Sequence, residues 1–149
     1  MIDARSLEPG PEEYAWLEAS LRKVGLFASF GHAELKAILP YMLMLEYPAA
    51  FDICTEGDQG DALYLIYKGK VVITKKGWDR PVAALGDGNF IGEMALIFSQ
   101  PRSATVTTTA PSVIFCLASI DFNRVLDLHP NLKKPLADLA AARLRELMK

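Results

Sequence analysis

The sequence predicts a mainly β domain with flanking helices, built on an eight-stranded antiparallel jelly-roll barrel of the double-stranded β-helix type. Between residues 43 and 118, short runs of β-branched and aromatic residues alternate with glycine and aspartate turns. Helical periodicity appears only before and after this region. The 149 residues suffice for one packed core but not for a second full domain, so we expect a single domain.

Eight strand candidates follow from these runs. Seven are Leu43–Tyr47, Asp52–Thr55, Leu63–Tyr67, Val71–Lys75, Val82–Leu85, Ala104–Thr109 and Val113–Leu117, and the eighth is a shorter piece near Phe90. The EGDQGD run that begins at Glu56 indicates a tight turn, because glycine and aspartate adopt the backbone conformations that such connections need. Short strands without intervening helices favour a sandwich or jelly roll over a parallel sheet.

The N-terminal segment, residues 1–42, is predicted to be helical. Apolar residues at helical spacing follow Pro11, which suits the first position of a helix that ends near Gly25. A second helix should begin at about His32, and Pro40 should bend it or end it early because proline lacks an amide hydrogen.

The strand region, residues 43–118, is followed by a predicted pair of C-terminal helices in residues 119–149. Either Ser119 or Asp121 can cap the first of them, because both side chains accept hydrogen bonds from helix amides. Pro135 is expected to mark the start of the last helix, where a missing amide hydrogen costs nothing.

Composition and residue placement exclude several classes of function. A net charge of −2 provides no basic stripe, so no nucleic-acid partner is expected. No leader-like segment and no apolar run long enough to span a bilayer is present, so we expect a cytoplasmic protein without direct membrane insertion. Cys54 and Cys116 are predicted to be buried free thiols. The two histidines, His32 and His129, lie at opposite ends of the chain, which argues against a metal cofactor and against a metal enzyme on this fold.

The most informative stretch runs from Phe90 to Val106 and reads FIGEMALIFSQPRSATV. Gly92, followed by small and helix-favouring residues, predicts a single helical turn whose first amides point outward at an anion. Glu93 in that turn can accept hydrogen bonds from a hydroxyl, and the planar fork of Arg102 suits phosphate oxygens. Together these groups would recognise a sugar that carries an adjacent phosphate.

This stretch resembles the phosphate-binding cassette of cyclic-nucleotide-binding domains, the module found in cyclic AMP receptors, ion channels and kinase regulatory subunits. The resemblance runs from about Leu26 to Leu147 and includes the EGDQGD turn, the YKGKV hairpin and the LGDGNFIGE approach to the cassette. The sequence departs from the family pattern at Ala50, where many relatives have glycine, and this puts a local turn in doubt.

The resemblance implies a role for each cassette residue. Glu93 would hold the ribose 2′-hydroxyl, Arg102 would pair with the cyclic phosphate, and Ser103 would add a hydroxyl beside it. The cassette backbone would be supplied by Gly92, Met94 and Ala95. Serine at position 103 is more frequent among cyclic AMP sensors than among those that favour cyclic GMP, which favours cyclic AMP.

Two positions outside the cassette have alternative interpretations. Ala83, on the strand before the cassette, lines the base pocket or is simply a core residue. Arg143 lies one heptad after Leu136, on the helix stripe that should face the strands. Its aliphatic stem covers apolar surface with the charge in water, or its guanidinium stacks on the bound purine as part of a lid.

The implied function is a non-catalytic cyclic-nucleotide sensor whose C-terminal helices move on binding and signal to a partner protein or a fused effector. Cyclic AMP is the expected ligand, and a cyclic GMP module and a ligand-free scaffold are the alternatives. No helix-turn-helix of the catabolite-activator type follows the last predicted helix up to Lys149. If the chain is a whole protein, DNA binding is not expected; if it is part of a longer one, an ion channel, a kinase or a regulator is the alternative. The effector and the formation of a homodimer stay open.

Overall fold

A computed structural model describes residues 4–148, which contain eleven β-strands, four α-helices and four short 3₁₀ turns. The strands are β1 (Arg5–Leu7), β2 (Leu43–Tyr47), β3 (Asp52–Cys54), β4 (Gln59–Gly60), β5 (Ala62–Lys68), β6 (Lys70–Thr74), β7 (Ala83–Gly86), β8 (Phe90–Ile91), β9 (Gln100–Pro101), β10 (Thr105–Thr108) and β11 (Ser112–Ala118). The helices are α1 (Pro11–Leu21), α2 (His32–Ile38), α3 (Ser119–Leu128) and α4 (Lys133–Leu147). The 3₁₀ turns are Gly25–Phe27, Leu39–Tyr41, Glu93–Leu96 and Pro130–Leu132.

Within residues 4–148 the strands form three separate antiparallel sheets. The order of the five-stranded sheet is β1-β2-β11-β5-β8, that of the four-stranded sheet is β3-β10-β6-β7, and β4 pairs with β9 alone. The longest ladder joins β11 to β5 and places Phe115 opposite Leu65. The predicted mainly β architecture with flanking helices is confirmed.

The prediction of a closed eight-stranded barrel is wrong. The chain passes from the four-stranded sheet to the five-stranded sheet between β7 and β8, through a turn in which Gly88 has a φ of 84°. β8 is only two residues long and pairs with β5, so no ladder continues from β7 across to the other sheet. Edge strands therefore remain at both ends of each large sheet, and the structure is an open sandwich.

The core lies in two layers, because successive residues of a strand face opposite sides of its sheet. On β5, Leu63 and Leu65 face the larger layer, between the five-stranded sheet and the helices, whereas Tyr64 and Ile66 face the smaller layer between the two sheets. The helices contribute buried residues to the larger layer: Leu17, Leu21, Leu35, Ile38, Phe122, Val125 and Leu136. Both the N-terminal and the C-terminal helices therefore pack on one face of one sheet.

Helix boundaries differ from the predictions at the C-terminal end. Neither Ser119 nor Asp121 caps α3, because β11 runs directly into the helix and Ala118 occupies the capping position. The Ser119 amide donates to the Asp61 carbonyl at 2.8 Å, so it needs no side-chain cap. α4 begins two residues before Pro135, which is tolerated because amides in the first turn of a helix have no acceptor within it.

Three strands were missed by the sequence analysis: β1, β4 and β9. They are two or three residues long, too short to show a periodicity. Among the described residues, no helix has the length and apolar character required to cross a bilayer.

Candidate ligand site

The predicted helical turn of the cassette is present as a single 3₁₀ turn between β8 and β9. Gly92 precedes it with a φ of 81° and a ψ of 27°, in the left-handed region that favours glycine. The Ala95 amide donates to the Gly92 carbonyl at 3.0 Å. The amides of Glu93 and Met94 lie before this first hydrogen bond of the turn, as the orphan donors of a helix start do.

Arg102 follows β9 and folds back against β5. Its Nη2 donates to the Ala62 carbonyl at 2.8 Å, and its Cζ lies 5.6 Å from the ring centroid of Tyr64. Its Nε is buried without a hydrogen-bond partner. No carboxylate within residues 4–148 lies within 4.0 Å of the guanidinium nitrogens. The guanidinium charge is therefore not compensated by a carboxylate in this part of the chain.

Glu93 connects the cassette to helical segments at both ends of the chain. Its Oε2 accepts from the Leu26 amide at 3.4 Å, and its Oε1 lies 3.8 Å from Nη2 of Arg143 on α4. The Glu93 side chain is 18 % exposed and that of Arg143 is 42 % exposed. Both Glu93 and Arg102 are among the described residues, and no ion pair joins them.

Three adjoining cavities follow the cassette. One of 150 Å³ and one of 190 Å³ share Gly92, Arg102 and Ser103 in their walls. A third, of 220 Å³, shares Met94 with the first and is also lined by Arg143. Each is below the roughly 300 Å³ at which small-molecule pockets begin.

The cavity between the two sheets has neutral walls apart from Arg102. Cys54 lines it, and the Arg102 charge lies near enough to Cys116 and Tyr64 to lower the pKa of each, although burial has the larger, opposite effect. Burial raises the pKa of the Cys116 thiol to about 11 and that of the Tyr64 hydroxyl to about 12, so both are protonated at neutral pH. Both thiols are free, as predicted, but they are half-buried and not fully buried.

The structure brings most of the predicted site residues together. The first cavity is lined by Gly92, Met94, Ala95, Arg102 and Ser103, among others. Arg143 lies at the third cavity and Glu93 beside it. Ala83 is not brought there. It pairs with Ile73 in the β6–β7 ladder, and Ile73, not Ala83, lines the cavity between the sheets.

Several residues of these cavities were missed by the sequence analysis. Gly60 and Gln100 line the first cavity, and Phe98 and Glu146 contribute to the third. The EGDQGD run was recognised only as a turn, and nothing in it shows that Gly60 pairs with Gln100 across the β4–β9 ladder. Within the described residues, no three His, Cys, Asp or Glu side chains form a group that could hold a metal ion.

Comparison with known proteins finds one family consistently. A cyclic nucleotide-gated potassium channel of Rhizobium etli is 36 % identical over 120 residues, which is 80 % of this chain and 33 % of the channel. A cAMP-dependent protein kinase regulatory subunit of Aspergillus niger is 34 % identical over 109 residues, which is 73 % of this chain and 26 % of the subunit. The chain thus spans between about a quarter and a third of the length of these curated relatives.

A crystal structure of a cyclic nucleotide-binding domain from Methylobacillus flagellatus matches with a TM-score of 0.75 and 30 % identity, covering 97 % of this chain and 85 % of that one. The family model of the cyclic nucleotide-binding domain matches residues 44–129, more than half of the chain. That span includes the cassette turn, Glu93 and Arg102. On this match, the chain belongs to the cyclic nucleotide-binding domain family and is a regulatory domain of that kind.

Proposed function

We propose that this domain is a non-catalytic sensor that binds cyclic AMP at the cassette and transmits binding through α4 to a partner protein or a fused effector. The observation that carries the proposal is the Arg102 guanidinium. It has no carboxylate partner within residues 4–148 and lies where two cavities meet beside the cassette turn. A cyclic nucleotide brings one negative charge, which a guanidinium binds through two parallel hydrogen bonds.

The remaining groups suit the other parts of the ligand. Ser103 is exposed at the wall that both cavities share, so its hydroxyl is available to a phosphate oxygen beside Arg102. Glu93 is mostly shielded from water, and a carboxylate in that setting is a strong acceptor for the ribose 2′-hydroxyl. Met94 and Ala95 would contribute their backbone, with the amides nearest Gly92 directed to the phosphate.

Cyclic AMP is proposed over cyclic GMP on two grounds. Ser103 is the residue more frequent among cyclic AMP sensors, and the kinase relative reported above is named for its dependence on cAMP. A cyclic GMP module is the second candidate, and a scaffold that binds neither nucleotide is the third.

Titration calorimetry with cyclic AMP and cyclic GMP, side by side on the whole chain, distinguishes these three functions. We expect both to bind at one site, and cyclic AMP to bind more tightly. Tighter binding of cyclic GMP would replace cyclic AMP as the ligand. No heat and no shift in thermal unfolding with either nucleotide would leave the scaffold as the function.

The coupling step is proposed to act through Glu93 and α4. Arg143 already lies 3.8 Å from Glu93, so a ligand hydroxyl that engages Glu93 changes the surroundings of Arg143 directly. In the bound state the Arg143 guanidinium would stack on the purine, and this contact favours one position of α4 over others. The effector would respond to that position.

Hydrogen exchange tests this coupling. Saturating cyclic AMP should slow amide exchange in α4, residues 136–147, relative to the free protein. Exchange in the β1–β2 ladder, which lies at the far edge of the five-stranded sheet, provides the internal control. Exchange that is unchanged in α4 at saturating ligand would contradict the lid mechanism, even if binding at the cassette were demonstrated.

A further inference from the structure

The backbone on both sides of Arg102 is held by the segment 57–60, which precedes β5. The Gly57 amide donates to the Arg102 carbonyl at 2.8 Å, and the Arg102 amide donates to the Asp58 carbonyl at 2.6 Å. β4 then pairs with β9, which places Gly60 opposite Gln100. We call residues 57–60 the strap. It fixes the Cα of Arg102 through backbone hydrogen bonds alone.

Within the strap, Gly60 has no room for a side chain, because it lies against both the Gln100 backbone and the Arg102 side chain. Gly60 is buried, and a Cβ built on it would lie 2.8 Å from the Gln100 carbonyl oxygen. The same Cβ would lie 3.2 Å from Arg102 Nε and 3.3 Å from its Cδ. Gly60 is not among the glycines with positive φ, so its backbone accepts any residue and the demand for glycine is one of space.

The buried Nε of Arg102 supports the same conclusion. An arginine usually places all its N–H groups against acceptors or water, but this Nε is buried without a partner while Nη2 bonds Ala62. We call the space beside Gly60 that holds the Arg102 side chain the channel. The side chain therefore lies there because there is room for it, not because Nε gains a hydrogen bond. A Cβ on Gly92 would likewise collide with Nη1, so the absence of a side chain at two glycines leaves room for Arg102.

We propose that Gly60 is a positioning residue for anion recognition. Its missing side chain opens the channel through which Arg102 reaches the wall shared by the two cavities. This proposal rests on the proposed function for the identity of the anion, the phosphate of a cyclic nucleotide. Its geometric part, that Gly60 orders the Arg102 side chain, stands independently of the ligand.

The test combines a measurement without ligand and one with it, on the full chain and on Gly60→Ala. NMR follows the Arg102 Nε–H group, which should be ordered and slow to exchange with water in the wild type. It should become mobile or fast-exchanging in Gly60→Ala. Calorimetry should then show cyclic AMP binding at least tenfold weaker in the variant. The matched control is Gly86→Ala, another strand glycine without positive φ, whose added Cβ would meet only the Gly69 carbonyl at 3.5 Å.

Each outcome is decisive. An Nε–H signal that stays ordered in Gly60→Ala, or cyclic AMP affinity within tenfold of wild type, would overturn the proposal. If Gly60→Ala does not fold, the wild-type signal decides, because exchange as fast as that of the exposed Arg5 would overturn an ordered Arg102. If the wild type binds neither cyclic nucleotide but Gly60→Ala disorders the Nε–H group, the proposed ligand fails and the positioning by Gly60 is supported.

Discussion

The two charged residues of the site are held in contrasting ways. At the arginine end, the backbone of Arg102 is bonded to Asp58 and Gly57 and its side chain to the Ala62 carbonyl. At the glutamate end, Glu93 contacts the Leu26 amide and the Arg143 side chain. The first end is built from strands and their turns. The second touches the N-terminal 3₁₀ turn and α4, both of which lie outside the strands.

Under the proposed function, this difference would assign binding to one end of the site and signalling to the other. A group fixed by backbone hydrogen bonds loses little conformational freedom when a ligand arrives, so the arginine end is suited to supply affinity. A carboxylate shared between two helical segments changes its partners when a ligand hydroxyl engages it, so the glutamate end is suited to shift populations. We therefore expect substitutions at the arginine end to weaken binding most, and those at the glutamate end to reduce both binding and its transmission.

The largest effect is expected for Arg102→Ala, which removes the arginine end. A phosphate left in a partly buried site without its cation costs about 3–5 kcal/mol, or roughly two to four orders of magnitude in dissociation constant. Calorimetry with cyclic AMP measures the loss. Arg124→Ala is the control, because its side chain is 61 % exposed and lies near Asp121 on α3. A loss of less than tenfold would contradict the assignment of Arg102.

Glu93→Ala should cost less, about 1.5–3 kcal/mol, because it removes hydrogen bonds to one hydroxyl and leaves the phosphate contact intact. It should also reduce the slowing of hydrogen exchange in α4 on binding, since the contact with Arg143 is lost. Glu93→Gln keeps an acceptor oxygen and should lose less affinity than Glu93→Ala. If Glu93→Ala weakened binding while α4 responded to ligand as in the wild type, the glutamate end would not carry the signal.

Arg143→Ala should weaken cyclic AMP binding by about 0.5–2 kcal/mol, the energy of a cation–π contact with the purine. Arg145→Ala, on the same helix and exposed, is the control. Truncating α4 would be a poorer test, because Leu136 is buried in the larger core layer and its loss would destabilise the domain. Tighter binding by Arg143→Ala would show instead that Arg143 competes with the ligand for Glu93.

The sequence predicted the parts of this site that depend on residue type and local spacing. The turn after Gly92, and the grouping of Arg102 and Ser103 beside it, follow from one continuous stretch of chain. The partners of the two charged residues were not predictable in that way. They are a carbonyl at Ala62 and an amide at Leu26, and backbone groups carry no signature in the sequence.

The errors in the predicted fold have the same cause, since they too concern contacts between distant parts of the chain. Long strands such as β5 and β11 were predicted because their alternation extends over enough residues to show a period. Barrel closure depends on which strands pair, and the crossing from β7 to β8 is set by the turn at Gly88 and not by either strand. The predicted cap of α3 at Ser119 or Asp121 is wrong because the Ser119 amide donates to the distant Asp61 carbonyl.

The smallest predicted effect tests whether stability can be changed without altering either end. Ala50, at the position where many relatives have glycine, has a φ of 64° between β2 and β3. A left-handed conformation costs a non-glycine residue about 1–2 kcal/mol, whereas glycine adds about 0.4–1 kcal/mol of unfolded-state entropy to be lost. Ala50→Gly should therefore raise the free energy of unfolding by about 0.5–1 kcal/mol in urea titrations.

The neighbouring alanine gives a matched control, because Ala49 is also exposed but is not among the residues with positive φ. Ala49→Gly should therefore lower the free energy of unfolding. Cyclic AMP affinity should stay unchanged in both variants, since the turn lies between β2 and β3, outside the cassette. A change of more than about threefold in affinity with Ala50→Gly would mean that strain in this turn is coupled to the arginine end or the glutamate end, and the contrast between a fixed end and a mobile end would have to be redrawn.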